Sequence, residues 1–181
     1  MKLVIASDLH GSAAAVRTLA TRIEEEAPDR IVLLGDLLYH GPRNDLPQGY
    51  APKEALAILN GMADSIVAVR GNCDAEVDQM VLDFPCMADY ALIEADGRLL
   101  YCTHGHLPGK SPDDAPALPK GSAFLSGHTH AKTLEERNGV LFVNPGSTSI
   151  PKDGSASYAV YDQGEFTLKS LEGETIREQR R

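Results

Sequence analysis

Five short stretches of this chain carry groups that bind metals or move protons. They are Asp8-Leu9-His10, Gly35-Asp36, Gly71-Asn72-Cys73-Asp74, Thr103-His104-Gly105-His106 and Gly127-His128-Thr129-His130. Any one of them alone is unremarkable chemistry. A single His-x-His beside a glycine is a common surface turn, and an Asp after a Gly is a common turn residue. Together, Asp8, His10, Asp36, Asn72, His104, His128 and His130 offer two carboxylates, four imidazoles and one amide oxygen. That mixture suits manganese, zinc or iron better than calcium. Seven side chains are too many for one four-coordinate ion, and they suit two ions that share a ligand. A carboxylate such as Asp36 can bridge two ions, whereas an imidazole normally cannot. In Asp-x-His and His-x-His, residues i and i+2 of an extended segment project to the same side, so both can reach a common centre. A glycine beside such a cluster lets backbone pass close to the ions.

Each cluster follows a short apolar run. Strands are expected at 2–6, 30–34, 65–69, 90–94, 98–102, 122–125, 140–143, 157–161 and 165–169. The first three are rich in Val, Ile and Leu without alternation, as in strands buried on both faces. Between them lie helical patterns. Ser12 is placed to N-cap a helix through about Ala27, with Val16, Leu19, Ala20 and Ile23 on one face. Pro52 suits the first turn of a helix ending near Ala63. Asp74 is placed to cap a short helix over 75–82. In the second half strands follow one another, with hairpin signals at Arg137-Asn138-Gly139 and Asp162-Gln163-Gly164. The first half thus reads β-α-β-α-β and the second mostly β, giving one α/β domain of layered sheets over residues 1–181. In such sheets the carboxyl ends of parallel strands face one side, where the ligand crevice forms. Segments 40–52 and 107–121, rich in Gly and Pro, read as surface loops. The terminal Arg-Glu-Gln-Arg-Arg reads as a solvated tail.

Composition narrows the function. The 181 residues are 43% hydrophobic and 24% charged, with a formal net charge of −9 and a pI near 5.1. An acidic chain is a poor general binder of nucleic acid or anionic membrane. Any phosphate chemistry must draw on a local field, from a few arginines or bound cations. Three cysteines, Cys73, Cys86 and Cys102, without a C-x-x-C, argue against a disulfide framework and for a reducing cytoplasm. The apolar run at the start is too short for a secretory signal, and no stretch approaches the ~18 apolar residues of a membrane span.

The order Asp-x-His, Gly-Asp, Gly-Asn, His-Gly, Gly-His-x-His resembles the calcineurin-like metallophosphoesterase superfamily, and more closely its small bacterial YfcE-like phosphodiesterases. The stretches that carry the resemblance are SDLHGS (7–12), GDLLYHGPRNDLPQGYAP (35–52), VRGNCDAEVDQM (69–80), THGHL (103–107), GHTH (127–130) and NPGSTSIPK (144–152), and they span nearly the whole chain. The resemblance implies a four-layer α/β/β/α sandwich holding two divalent metal ions, often manganese. Carried onto this sequence, it gives one ion to Asp8, His10, Asp36 and His130. The other goes to Asp36, Asn72, His104 and His128, with Asp36 as the bridge. It also places Asn144-Pro145-Gly146-Ser147 as a support for the His128/His130 loop.

One position departs from the wider superfamily. Most members read Gly-Asn-His at the third motif, where the His lies near the leaving group; here the residue is Cys73, a change shared by YfcE-like members. Cys73 either acts weakly on the leaving group or shapes the pocket, and His106 and His40 are the other candidates for that protonation. Arg43, in His40-Gly41-Pro42-Arg43-Asn44, is a candidate phosphate clamp. The expected chemistry is in-line attack on phosphorus by a hydroxide bridging the two cations. Two divalent ions bring four positive charges; Asp8 and Asp36 cancel two and the hydroxide one, so the remainder matches a phosphodiester monoanion. A phosphomonoesterase or nucleotide pyrophosphohydrolase is the alternative within the same chemistry. A protein-binding scaffold, as in the retromer subunit that resembles this family but lacks part of the ligand set, is the alternative outside it. The expected partner is a small phosphodiester, with no bulk nucleic acid and no membrane, and a homo-oligomer is left open.

Overall fold

In the computed structural model, which describes residues 1–179, two sheets lie face to face and are flanked by helices. The first has six strands: β1 (Lys2–Ala6), β2 (Arg30–Leu33), β3 (Ile66–Ala68), β9 (Ser157–Asp162), β10 (Glu165–Ser170) and β11 (Thr175–Gln179), in the order β11-β10-β9-β1-β2-β3. The second has five: β4 (Tyr90–Ala95), β5 (Arg98–Thr103), β6 (Ala123–Leu125), β7 (Lys132–Arg137) and β8 (Val140–Pro145), in the order β4-β5-β6-β8-β7. Strands β1, β2 and β3 run parallel, as do β5, β6 and β8.

The unbroken apolar runs of the first strands follow from this layering. Leu3 and Ile5 of β1, with Val32 and Leu34, face the second sheet and meet Leu100, Cys102, Leu125 and Val143. Val4, Ala6, Ile31 and Leu33 point the other way, against α1 (Ala13–Glu26) and α2 (Pro52–Asn60), through Val16, Leu19, Ile23 and Leu59. Both faces of these strands are therefore dry, and alternation with polar residues is lost. Ser12 caps α1 as expected, its hydroxyl accepting from Ala15 N at 3.1 Å. Pro52 opens α2, which stops at Asn60, earlier than its apolar pattern suggests; a short 3-10 turn, Ala63–Ser65, follows. The outer face of the second sheet carries Tyr101, Phe124 and Phe142. Ala115 and Leu118 of the 107–121 segment pack over them, so this layer is coil rather than helix among the described residues.

Three expectations need correction. Strand β7 was not foreseen, because Leu134 is its one buried residue; it is an edge strand paired to β8 through the Asn138-Gly139 turn. The terminal residues do not all form a tail: Arg177, Glu178 and Gln179 belong to β11, paired antiparallel to β10, while Arg180 and Arg181 lie outside the described residues. Asp74 does not cap the short helix α3 (Glu76–Gln79); Ala75 occupies that position, and Asp74 is buried beneath the site.

Candidate active site

Parallel strands in both sheets send their carboxyl ends to one edge of the sandwich. Asp8 and His10 follow β1, Asp36 follows β2, Asn72 follows β3, His104 follows β5, and His128 and His130 follow β6. The turns that carry them are strained. Among the described residues nine non-glycine positions have positive φ, and five of these are Asp8, His10, Asp36, His128 and His130. Four of the five, all but His128, are buried. Left-handed backbone at buried, non-glycine residues costs of order 1 kcal/mol each and is kept where the site demands it.

Several of these side chains converge. His130 Nε2 lies 3.2 Å from Asp8 Oδ1 and 3.2 Å from His10 Nε2. His10 Nε2 is 3.7 Å from Asp36 Oδ2. His104 Nε2 is 3.5 Å from the same Asp36 oxygen and 3.1 Å from Asn72 Oδ1. Asp36 Oδ2 thus faces imidazoles on both sides, the placement a bridging carboxylate requires. His128 stacks edge-on to His104, ring centroids 5.1 Å apart, and His106 lies 5.3 Å from His104.

Three backbone carbonyls fix the imidazoles. Tyr39 O accepts from His10 Nδ1 at 2.9 Å, Leu34 O from His104 Nδ1 at 2.7 Å and Ile150 O from His130 Nδ1 at 2.9 Å. A carbonyl cannot donate, so each Nδ1 carries the hydrogen, and in the neutral tautomer the Nε2 lone pair turns inward. His10 and His130 then oppose lone pairs at 3.2 Å, and the buried Asp8 Oδ1 has no hydrogen-bond partner. Such a cluster is repulsive unless positive charge sits in it, and with no metal bound His104 supplies that charge as a proton. Burial disfavours the His104 imidazolium, but its hydrogen bond to Asp36 and the charges of Asp8 and Asp36 raise it to about 9. Burial pushes the Asp36 carboxyl up, yet His104, the Cys73 N–H and His10 hold it well below the usual carboxylate range. His10 and His128 move the other way: burial lowers both. The donor set therefore fits divalent cations, with Asp8, His10 and His130 forming one group and Asp8, Asp36 and His104 another.

A layer of residues behind the donors holds the turns. Asp74 takes three backbone N–H bonds, from Asp36 at 2.8 Å, Leu37 at 2.8 Å and Gly71 at 2.7 Å. Burial pushes its carboxyl up to about 6 against the pull of those donors. Ser147 and Ser149 hydroxyls both donate to Asp8 O, at 2.8 and 2.9 Å. Asn144 Nδ2 donates to Gly127 O at 2.8 Å and Thr129 Oγ1 at 3.1 Å, so the 144–147 turn does support the His128/His130 loop. Two glycines permit close passage: a Cβ on Gly71 would overlap Asp36 Oδ1, and one on Gly127 would overlap Ser7 Oγ.

The cleft above the cluster, about 390 Å³, is lined by Arg43, Cys73, His128 and Lys152 among others. Burial and the Asp36 charge push the Cys73 thiol up to about 12. Burial and the neighbouring His104 and His128 lower His106 to about 4. His40 is not on the cleft wall; its ring packs between Tyr39 and Tyr50, at 4.7 and 5.3 Å. Sequence reasoning missed the role of Asp74, which it read as a cap, and it missed Lys152. The carbonyls of Leu34, Tyr39 and Ile150 leave no side-chain signal at all.

The geometry can be set beside known proteins. The sequence model for the calcineurin-like phosphoesterase superfamily domain matches residues 1–165. Phosphodiesterase YfcE of Escherichia coli K12 is 44% identical over 177 residues, 97% of this chain and 95% of that protein. A solved structure of YfcE, a phosphoesterase from E. coli, superposes with a TM-score of 0.95 at 42% identity, covering 99% of this chain and 98% of that one. The probable metallophosphoesterase YsnB of Bacillus subtilis is 28% identical over 166 residues, 88% of this chain and 83% of that protein. Strand order, clustered donors and matching chain length lead to one family, and this chain belongs to the calcineurin-like phosphoesterase superfamily.

Proposed function

We propose that this protein is a phosphodiesterase that hydrolyses small phosphodiesters with two divalent cations, manganese first among them. Asp8, His10, Asp36 and His130 would hold one ion, and Asp36, Asn72, His104 and His128 the other, with Asp36 shared by both. The observation that carries this reading is the inward-facing donor cluster, with the His10 and His130 Nε2 atoms 3.2 Å apart beside the unpartnered Asp8 Oδ1. Divalent ions bound there would supply a water of lowered pKa as nucleophile and offset charge on the phosphoryl oxygens.

The chain's own residues do the rest. The donor set carries two negative charges against the four positive charges of two divalent ions, which favours an anion of low charge such as a diester. Arg43 adds positive charge in the cleft, near enough to help lower His128. Cys73 stays a neutral thiol at working pH and forms part of the cleft wall. His106, 5.3 Å from His104, borders the reacting centre, but burial and the neighbouring His104 and His128 keep it neutral, so it is a poor donor of a proton to a leaving group. Residues 1–181 act as one domain, because the donors come from both sheets.

The free thiols Cys73, Cys86 and Cys102 favour the cytoplasm. No helix among the described residues is long and apolar enough to cross a membrane. Edge strand β11, with Ile176 exposed, is where a second copy would pair.

The test is turnover of diester, monoester and pyrophosphate substrates by the same preparation, with metal content measured alongside. Diester hydrolysis should dominate, require added divalent metal, stop in excess chelator, and fall at least a thousandfold in Asp36→Asn. Turnover that persists in chelator removes the metal mechanism. Preference for monoesters or pyrophosphates moves the assignment to those substrates, and metal binding without turnover leaves a scaffold.

A further inference from the structure

An apolar groove of about 710 Å³ lies beside the cleft, on the helical side of the six-stranded sheet. Its walls are Leu38, Tyr39, Tyr50, Leu56, Val77 and Val81. Tyr39, Val77 and Val81 are 43%, 60% and 43% exposed, an apolar patch of the kind that marks a ligand or partner site. Its volume falls in the range of small-molecule pockets, roughly 300–1,000 Å³. The aromatic rings of Tyr39 and Tyr50 flank His40 edge-on and stiffen one wall.

The groove touches the reacting centre through one residue. Cys73 lines both the groove and the cleft. Its Sγ also belongs to a group, with one donor atom each of His10 and Asp36, whose members all lie within 4.8 Å of one another. A phosphorus atom held over the cluster would have an ester oxygen within a few bonds of the groove mouth. Asp78 is turned into its own chain, where Oδ2 accepts from Ala75 N at 2.8 Å. The rest of the wall is apolar apart from the exposed Lys53 and the tyrosine hydroxyls.

We propose that this groove is the substituent pocket of the enzyme, receiving an apolar aromatic group carried on one ester oxygen of the phosphodiester. The assignment rests on the phosphodiesterase reading above, and deepens it. It makes aryl diesters better ligands than methyl ones, because a ring leaving water for this wall adds binding that a methyl group cannot.

Calorimetric titration of the metal-loaded full-length protein with diphenyl phosphate and with dimethyl phosphate tests this. The phenyl ligand should bind at least about tenfold tighter, following the area it buries. Val77→Gln and Val81→Gln, neutral changes at exposed positions, should cut that ratio to about threefold or less. Affinity for dimethyl phosphate and the metal content should not change. Equal affinities in the wild type, or a ratio untouched by both substitutions, overturn the proposal. So does a shift in oligomeric state of the variants on gel filtration with no change in the ratio, which would give the groove to a second copy of the chain. Loss of turnover on every ester, with the phenyl preference intact and sensitive to Val77→Gln, refutes the enzymatic reading while supporting the pocket.

Discussion

Replacing Gly71 by Ala separates a site built by close packing from one built by its donors alone. Gly71 has no need of unusual backbone, since it is not among the positive-φ glycines. Its role is space. An added Cβ would stand 2.9 Å from Asp36 Cγ, where ordinary contact begins at 3.4 Å, and would overlap Asp36 Oδ1 outright. Asp36 must therefore move by at least half an ångström, or Gly71 must retreat and stretch its 2.7 Å bond to Asp74. Metal–ligand distances tolerate about 0.2 Å, and a misplacement of about 1 Å costs on the order of a hundredfold in rate. We expect Gly71→Ala to lower kcat/KM on a diester by about a hundredfold, roughly 2.7 kcal/mol of transition-state binding. Metal affinity should fall roughly 10–100-fold, the usual effect of disturbing a ligand's support. The assay is steady-state turnover across a manganese titration, with bound metal counted by mass spectrometry and unfolding followed in parallel. A folded Gly71→Ala protein with two tightly bound ions and kcat/KM within twofold of wild type would refute the packing argument.

Two other perturbations have defined outcomes. Cys73→Ser should keep kcat/KM within tenfold and leave the pH profile unchanged, because a thiol pushed up to about 12 is a poor general acid; a loss of ~10²-fold or more, as when a general acid is removed, would show that it protonates the leaving group. Glu26, remote from the cleft, pairs with Lys169 at 2.5 Å and Lys2 at 2.7 Å. Burial pushes its carboxyl up, but the two lysines outweigh it and hold it below its model-peptide value of 4.5. Its ion pairs thus add stability above that value, lost as pH falls through the depressed folded one. Glu26→Gln should cost about 1 kcal/mol in urea unfolding at pH 7, with the difference shrinking in acid and activity unchanged. It also serves as the control for destabilisation without damage to the site.

The clustered donors Asp8, His10, Asp36, His104 and His130 are legible because each is a side chain with a chemistry of its own, and because each follows an apolar run that reads as a buried strand. Asp8, His10 and Asp36 needed nothing more than that order to be grouped. Strands buried on both faces and the two Asn/Gln-Gly hairpin turns were equally plain, since dry layers and left-handed turns leave direct marks on residue type. Strand β7 left none: Leu134 alone points inward, and an edge strand needs little else. Asp74 shows the limit most clearly. As a residue ahead of a short helix it reads as a cap, yet it reaches across 38 positions to the N–H of Asp36.

The sequence by itself determined which atoms could bind metal and that they lie at strand ends, for those are matters of side-chain chemistry and local periodicity. Tertiary structure alone decided which lone pairs face one another, which carbonyls hold each imidazole, and that Cys73 stands between a polar cleft and an apolar groove. Those are distances between backbone and side-chain atoms remote in sequence, and residue type does not encode them until the two sheets close.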